Sequence, residues 1–291
     1  METNKRQELL GYLLVYRQRP HHREHLANLF WGSTNSTTQS KKYLRQALWQ
    51  LSSDFEGCSL DKHLLLMDTD WVGINPEARF SLDIADFEEI HQQVRNIKGE
   101  ELVTSHVQAL KGAVQLYRGH LLETSYQDWC IYERERFFRM YLIMLFKLMT
   151  YSRHKGDYES GILYGTEMLR HDAAQENTHR QLMLLYYLSG NRTAAIRQYD
   201  ICVEALRREL DVEVSKRTSM LYEKIKSDQL ETNVDDAPPP QHRRIKSNSQ
   251  HLVYKINKLE EKIDRLEGYL GQFIQFVARF DDQSGETPNR H

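Results

Sequence analysis

The chain has 291 residues, 40% of them hydrophobic, and a formal net charge of −2, which suits one large or two ordinary folded domains with a sizeable core. Such a nearly neutral balance gives no indication of a polyanionic partner for the chain as a whole. The charge is uneven, however, because residues 1–53 contain eight Lys or Arg against three Glu. A basic start on a mildly acidic remainder indicates one specialised binding face.

The cysteines and the lengths of the apolar runs indicate the cellular compartment. Cys58, Cys130 and Cys202 are far apart and form no CxxC pair, which argues against a disulfide scaffold or a thiolate zinc site and favours a reducing cytosol. No apolar run approaches the about 20 residues of a membrane span, and the first residues lack the apolar core of a signal peptide. We therefore expect a cytoplasmic protein with no membrane partner.

Apolar periodicity predicts most of the secondary structure. The predicted elements are helices over 6–16, 23–31 and 37 to about 55, a hairpin within 63–75, and further helices from 81 to about 227. The stretch "GSTNSTT" (32–38) contains turn formers and supplies a Ser or Thr N-cap for the third helix. Helix, helix, turn, helix and hairpin, in this order, are typical of a winged helix-turn-helix.

The third predicted helix has two unlike faces. Leu44, Ala47, Leu48 and Leu51 gather on one side at 100° per residue. The outward set is Thr38, Gln39, Lys41, Lys42, Arg45, Gln46 and Trp49. Lys, Arg and Gln donate to base edges or phosphates, and Thr or an aromatic ring can meet the thymine methyl. This face is predicted to bind the major groove of double-stranded DNA. The alternatives are an ordinary solvated face and, for Trp49, packing against the hairpin.

Two further patterns contain residue types that catalysis or metal binding uses. "HHREH" (21–25) matches the H-x-x-E-H pattern of inverted zinc proteases, but no downstream motif offers the third ligand that a catalytic zinc needs. "DWCIYERERFFRMY" (128–141) indicates a core stripe of Trp129, Phe137 and Tyr141 flanked by surface ion pairs. No Walker A, GxGxxG or GxSxG sequence occurs. We predict no enzyme activity, no cofactor and no metal site.

An internal repeat lies in the second half. "GDYESGILYGTEMLR" begins at Gly156 and "GNRTAAIRQYDICVEALR" at Gly190, a spacing of 34 residues that aligns Gly161 with Ala195. This is the tetratricopeptide period, in which neighbouring helical units stack because none buries its own apolar face. The sequence therefore predicts a mainly α fold with a tetratricopeptide-like array.

Beyond the array the composition changes. Residues 231–250, which include three consecutive prolines, have no apolar period and are predicted to form a flexible linker. A heptad seam follows, with Leu252, Leu259, Leu266, Phe273 and Phe280 at d and Ile256, Ile263, Leu270 and Val277 at a. Ile at a with Leu at d favours a parallel dimeric coiled coil. A trimer, a tetramer, docking onto another protein and a single helix folded back on the array remain alternatives.

Two parts of the sequence before the linker resemble a known family. "LLGYLLVYRQRPHHREHLANLFW", "YLRQALWQL" and "SLDIADFEEI" resemble the winged-helix half of the Streptomyces antibiotic regulatory protein family of transcriptional activators. The stretch from "LYRGHLLETSYQDWCIYERERF" to "EVSKRT" is similar to that family's bacterial transcriptional activator domain, a tetratricopeptide-like array. The landmarks of the second match are Asp128, Trp129, Glu133, Arg134, Gly156, Asp157, Tyr158, Glu176, Arg180, Gly190, Tyr199, Glu209 and Leu210. The resemblance covers about residues 6–228. It implies binding to repeated operator half-sites and contact with RNA polymerase, with the array serving in dimer formation or activation.

The sequence also departs from the family pattern. Members usually open with a small β-sheet, whereas this chain starts at the first helix, and "SSD" (52–54) stands where the recognition helix often continues with Arg. The hairpin carries Asp68 and Asp70 and no Lys or Arg, which argues against minor-groove contact. Ala173 and Val214 replace prolines, and the heptad tail is not a usual feature of the family.

The sequence thus predicts a winged helix-turn-helix domain over 1–80, a bacterial transcriptional activator domain over 81–230, a linker over 231–250, a coiled-coil helix over 251–281 and a disordered tail over 282–291. The predicted function is that of a dimeric DNA-binding transcriptional regulator, an activator that reads operator half-sites with its third helix. One alternative is a tetratricopeptide-type adaptor whose degenerate winged helix no longer binds DNA. Another is a regulatory subunit of an enzyme with a small-molecule site in the array.

Overall fold

A computed structural model describes residues 2–32, 36–56 and 63–230. The predicted linker, heptad seam and tail lie outside the described residues. The described part is mainly helical, as predicted. Its elements are α1 (Glu2–Val15), β1 (His21–His22), α2 (Arg23–Trp31), α3 (Thr37–Glu56), β2 (Leu65–Met67), β3 (Trp71–Ile74), α4 (Asp83–Val94), a 3₁₀ turn (Gly99–Glu101), α5 (Thr104–Leu116), α6 (Asp128–His154), α7 (Tyr158–His171), α8 (Glu176–Leu188), α9 (Arg192–Leu210) and α10 (Lys216–Lys226).

The three strands form one antiparallel sheet in the order β1-β3-β2. The predicted hairpin is confirmed, since β2 and β3 pair with Leu65 opposite Ile74 and Met67 opposite Val72. Strand β1 was not predicted. It adds to the other edge of β3, with His22 opposite Trp71, and two residues are too few to show an alternating pattern.

The first core is built by α1, α2, α3 and the sheet. Its largest fully buried side chains are Leu9, Leu13, Leu26 and Leu48. The predicted inward face of α3 is confirmed, because Leu44, Ala47, Leu48 and Leu51 are all buried. The predicted Ser or Thr N-cap is also found, as the backbone N–H of Gln39 donates to Ser36 Oγ at 3.4 Å.

The second core lies among α4 to α8. Each unit of the 34-residue repeat begins with the same kind of turn. Gly156 and Gly190 follow α6 and α8 with φ angles of 77° and 81°, a left-handed conformation that glycine adopts without strain. The next residue in each turn, Asp157 or Asn191, caps the following helix by accepting from a backbone N–H at 3.2 or 3.0 Å.

A small residue lies at each repeated helix crossing. Gly161 and Ala195 are both buried. A Cβ atom at Gly161 would lie 2.9 Å from Leu185 Cδ2 in α8 and 3.5 Å from the carbonyl oxygen of Met149 in α6. The described helices therefore form the tetratricopeptide-like array that the 34-residue period predicts.

At the start of α6 the structure differs from the predicted core stripe with surface ion pairs. Phe137 and Tyr141 are buried as expected. Trp129, however, packs against the first core and not the array core. Glu133, expected in a surface ion pair, is only 3% exposed. Its carboxylate accepts from Tyr16, which directly follows α1, and from Arg136, which also donates to Glu88 in α4.

The described residues include two of the three cysteines and the helices in which a membrane span could be sought. Cys130 and Cys202 are buried free thiols, and burial raises the pKa of Cys202 to about 12, so this thiol is unreactive. None of the helices in the described ranges is long and apolar enough to cross a membrane.

Candidate nucleic-acid interface

The outward face of α3 has the geometry that its sequence predicts. All seven candidate residues are exposed: Thr38, Gln39, Lys41, Lys42, Arg45, Gln46 and Trp49. Thr38, Lys42, Arg45 and Trp49 follow one another at steps of four, three and four residues and so form a single stripe. At 1.5 Å per residue this stripe is about 16 Å long. The structure thus brings the set together on one helix face, while its contact with DNA stays a prediction.

The orientation of α3 depends on a serine that sequence reasoning missed. Ser40 is fully buried, and its Oγ donates to the carbonyl oxygen of Trp31 at 3.1 Å. This bond ties the first turn of α3 to the end of α2. The signal was present in the sequence, because Ser40 lies four residues before Leu44 and therefore in phase with the buried stripe.

The three cations of the face are not equivalent. Lys41 Nζ lies 2.7 Å from Glu24 Oε1 in α2, and the hydrogen bond and charge of Lys41 lower the pKa of Glu24. Lys41 is therefore partly neutralised before any ligand arrives. Among the described residues, no carboxylate pairs with Lys42 or Arg45. These two side chains supply the unpaired positive charge of the face.

Trp49 is largely exposed, contrary to the alternative that it packs against the hairpin. The residue is 69% exposed and lies one helical turn after Arg45. A large exposed indole on a cationic helix face can contact a base methyl group or the sugar edge of a groove. It provides an apolar contact next to the hydrogen-bond donors.

The hairpin offers no cation to a phosphate backbone. Residues 63–75 contain no Lys or Arg. The turn is fixed locally, because Asp68 Oδ1 accepts from the backbone N–H of Thr69 at 2.7 Å and the Asp68 N–H donates to the Trp71 carbonyl at 2.9 Å. Leu66 and Trp71 are about half exposed beside it. Any DNA contact of this region would therefore rely on α3 and not on the hairpin.

The "HHREH" pattern does not form the helical zinc-protease arrangement. His21 lies in β1 and is buried, and its Nε2 is 3.1 Å from the Tyr16 carbonyl oxygen. His22 Nδ1 accepts from the backbone N–H of Glu24 at 3.3 Å and caps α2. Only His25 lies on the helix. Because the two outer histidines do not share a helix face, their spacing cannot place both on one metal ion in this way.

Comparison with known families identifies the second part of the chain. Residues 82–226 match the family model of the bacterial transcriptional activator domain. This part of the chain, and not the chain as a whole, is therefore what resembles the domain. The match spans α4 to α10 and does not extend to residues 1–80, which contain the candidate interface.

Solved structures of other proteins also match the chain. Mycobacterium tuberculosis EmbR, in complex with a low-affinity phosphopeptide, superposes with a TM-score of 0.61 at 16% identity, covering 78% of this chain and 60% of that chain. This likeness shows a shared fold, and the present chain spans less than two thirds of that structure. The Sgt2 tetratricopeptide domain from Aspergillus fumigatus gives a TM-score of 0.31 at 13% identity, covering 56% of this chain and 90% of that chain, and supports no argument at this score. No curated protein matches the chain by sequence.

Proposed function

We propose that this chain is a DNA-binding transcriptional regulator of the Streptomyces antibiotic regulatory protein type, and that α3 enters the major groove of an operator half-site. The observation that carries the proposal is the exposed stripe of α3, held on a core of three helices and a three-stranded sheet. Within this stripe, Lys42 and Arg45 pair with no carboxylate of the described residues. Helix, helix, helix and hairpin are the parts of a winged helix-turn-helix, in which the second helix of the motif reads base edges. The bacterial transcriptional activator domain that follows supports the same role.

The charge distribution gives the proposed contacts different tasks. Lys42 and Arg45 would supply base-edge or phosphate contacts, and the Gln side chains would add donors and acceptors for the bases. Because Lys41 already has a carboxylate partner, its contribution to binding would be smaller. Operator half-sites, activation and contact with RNA polymerase are what the family resemblance implies, and they belong to the proposal.

A second candidate function is that of an adaptor whose first domain binds protein. The observation that favours it is the hairpin, where Leu66 and Trp71 are exposed next to the acidic Asp68 and Asp70. An exposed apolar patch next to acidic residues suits a protein partner better than a polyanion. The basic face of α3 argues against this candidate as the main function.

Replacing both unpaired cations by alanine tests the proposal. We expect Lys42→Ala with Arg45→Ala to weaken binding to duplex fragments selected from genomic DNA by the wild-type protein. Removing the side chain that reads one base edge should cost about 1–3 kcal/mol, so the double variant should bind at least about tenfold more weakly. Fluorescence anisotropy at two salt concentrations measures this decrease in affinity, and a phosphate contact would also reduce the salt dependence.

A matched control removes the same charge elsewhere. Lys111 and Arg118 are exposed cations of the second domain, and the variant Lys111→Ala with Arg118→Ala should bind DNA as the wild type does. Equal affinity of the α3 double variant and the wild type would show that α3 is not the recognition helix. Absence of DNA binding by the wild type, together with capture of a protein partner through the hairpin, would support the adaptor.

Dimerisation through the heptad seam is the remaining part of the proposal. In the parallel register Lys255 and Lys262 occupy g positions and would meet Glu260 and Glu267 at e of the partner helix. Exposed pairs of this kind contribute only some tenths of a kcal/mol each and therefore select orientation more than they stabilise.

Removing residues 245–291 should convert a dimer to a monomer, because this deletion removes the whole seam. Sedimentation of the full and shortened chains measures the change in mass. A monomer in both cases would contradict the coiled coil. A dimer in both cases would place the interface in the helical array instead.

A further inference from the structure

An aromatic contact joins α1 to α6. Trp129, in the first turn of α6, packs edge-on against Tyr12 with ring centroids 5.2 Å apart and an interplanar angle of 89°. It also approaches Tyr16 at 6.3 Å. Tyr12 lies in α1 and Tyr16 directly follows this helix, and both pack in the first core, so a residue of α6 completes the packing of that core. Edge-to-face aromatic pairs at this separation are favourable and depend on orientation.

One helical turn further along α6, a closed ring of polar contacts makes the same connection. Tyr16 Oη donates to Glu133 Oε1 at 3.0 Å, and Arg136 Nε donates to Glu133 Oε2 at 2.5 Å. Arg136 also donates to Glu88 in α4 at 2.6 Å, and Glu88 accepts from Arg17 at 2.7 Å. The ring thus returns to the residue next to Tyr16. Burial and the neighbouring Glu133 carboxylate raise the pKa of Tyr16, so its hydroxyl stays a donor.

A third contact comes from the segment before α6. Arg134 donates to the carbonyl oxygens of Leu121 at 2.6 Å, Ser125 at 2.7 Å and Leu122. These bonds hold Leu122 in a left-handed conformation with a φ of 47°. Its side chain lies against Gly11 of α1, where a Cβ atom would come 2.6 Å from Leu122 Cδ1. This close approach needs the absence of a side chain at Gly11.

Together these contacts fix α1 against α6, and α1 shares one core with α3. We infer that Glu133 is a positioning residue: through Tyr16 and α1 it sets the orientation of α3 relative to the array and couples DNA binding to the stability of the start of α6. The DNA part of this inference rests on the proposed function. Amides at 128–137 should exchange only when the first core separates from α6. A ligand that stabilises the first core should therefore also slow their exchange.

Hydrogen exchange of the full chain tests the coupling. The probe is a mixed-sequence 30-base-pair duplex at low salt, on the order of the footprint of two half-sites. In the wild type, the duplex should slow amide exchange in α3 and also in residues 128–137. In Glu133→Ala the slowing should be confined to the N-terminal helices, because both the acceptor for Tyr16 and the carboxylate partner of Arg136 are gone.

Two further variants separate positioning from general destabilisation. Glu133→Gln keeps the size of the side chain and an oxygen that can accept from Tyr16, so it should restore part of the coupling. Glu135→Ala removes a carboxylate that is exposed on the same helix and paired with Arg139 at 3.0 Å. It should behave as the wild type does. If the duplex slows amide exchange in residues 128–137 of Glu133→Ala as much as it does in the wild type, the inference is wrong.

A measurement without DNA keeps the two proposals distinguishable. In the wild type, amides of α1 and of residues 128–137 should show the same urea dependence of exchange, as members of one cooperative unit. In Glu133→Ala, amides of α1 should exchange at least about tenfold faster, while those of α7 to α9 stay unchanged. Different urea dependences in the wild type would overturn the coupling. A duplex that fails to protect α3, with equal urea dependences, would instead overturn DNA binding alone.

Discussion

Leu48→Asp should unfold the first core and leave helices α7 to α10 folded. Leu48 is 1% exposed and lies in the middle of the buried face of α3. Truncating a buried leucine costs about 2–5 kcal/mol, and an unpaired carboxylate at that depth adds several kcal/mol, even if it takes up a proton. The sum is comparable with the about 5–15 kcal/mol that stabilise a whole domain. The array has its own core and should retain its helices.

The adjacent residue provides the control. Trp49 is 69% exposed, so Trp49→Asp introduces the same charge on the same helix without burying it and should leave the fold intact. Hydrogen exchange measured segment by segment distinguishes the two variants. In Leu48→Asp the amides of α1 to α3 should exchange within seconds, and the first turns of α6 should lose protection with them. A cooperative, protected α3 in this variant would show that our orientation of the helix is wrong.

The face of α3 could be predicted because a helical period fixes which side chains point together. Leu44 and Leu48 identified the inward side, and the outward side followed by geometry. The pairing of Lys41 with Glu24 could not be predicted in the same way, because the two residues lie on different helices. A sequence period orients one helix about its own axis. It carries no information on which neighbour faces a given charge.

The contact between the end of α1 and α6 could not be predicted from the sequence for the same reason. Tyr16 and Glu133 are separated by 117 positions along the chain. The run "ERER" resembles an ordinary solvated helix face, on which ion pairs contribute little. Only the packing of α1 and α4 over α6 turns Glu133 into a buried acceptor. Buried charges with distant partners are the features that pattern reasoning is least able to locate.

The repeat was predictable at the level of its turns. Gly156 and Gly190 occupy equivalent positions because each ends a helix in a left-handed conformation. The small residues at Gly161 and Ala195 follow from the same register. Strand β1, in contrast, has only two residues and no repeat to reveal it. Sequence patterns thus predicted the elements that extend over several turns or recur.

Gly161→Leu should destabilise the array strongly. A Cβ atom there would already be 2.9 Å and 3.2 Å from the two terminal carbons of Leu185 and 3.5 Å from the Met149 carbonyl. The leucine must place three more carbons between α7, α8 and α6. Extra methylene groups in a well-packed core cost about 1–3 kcal/mol, and four added carbons should reach or exceed the upper value. For about 150–250 residues, a loss of 3 kcal/mol lowers the melting temperature by about 6–12 °C.

The control for this change is another helical glycine. Gly112 lies on α5, and a Cβ atom there would meet nothing within 4 Å. Gly112→Leu should therefore stabilise the chain slightly, because leucine is better in a helix interior than glycine by about 1 kcal/mol. Differential scanning calorimetry of both variants compares the two signs directly. If the chain with Gly161→Leu melts as high as the one with Gly112→Leu, the helices at this crossing can separate without cost. The close approach of α7 and α8 would then not be what requires a small residue in the repeat.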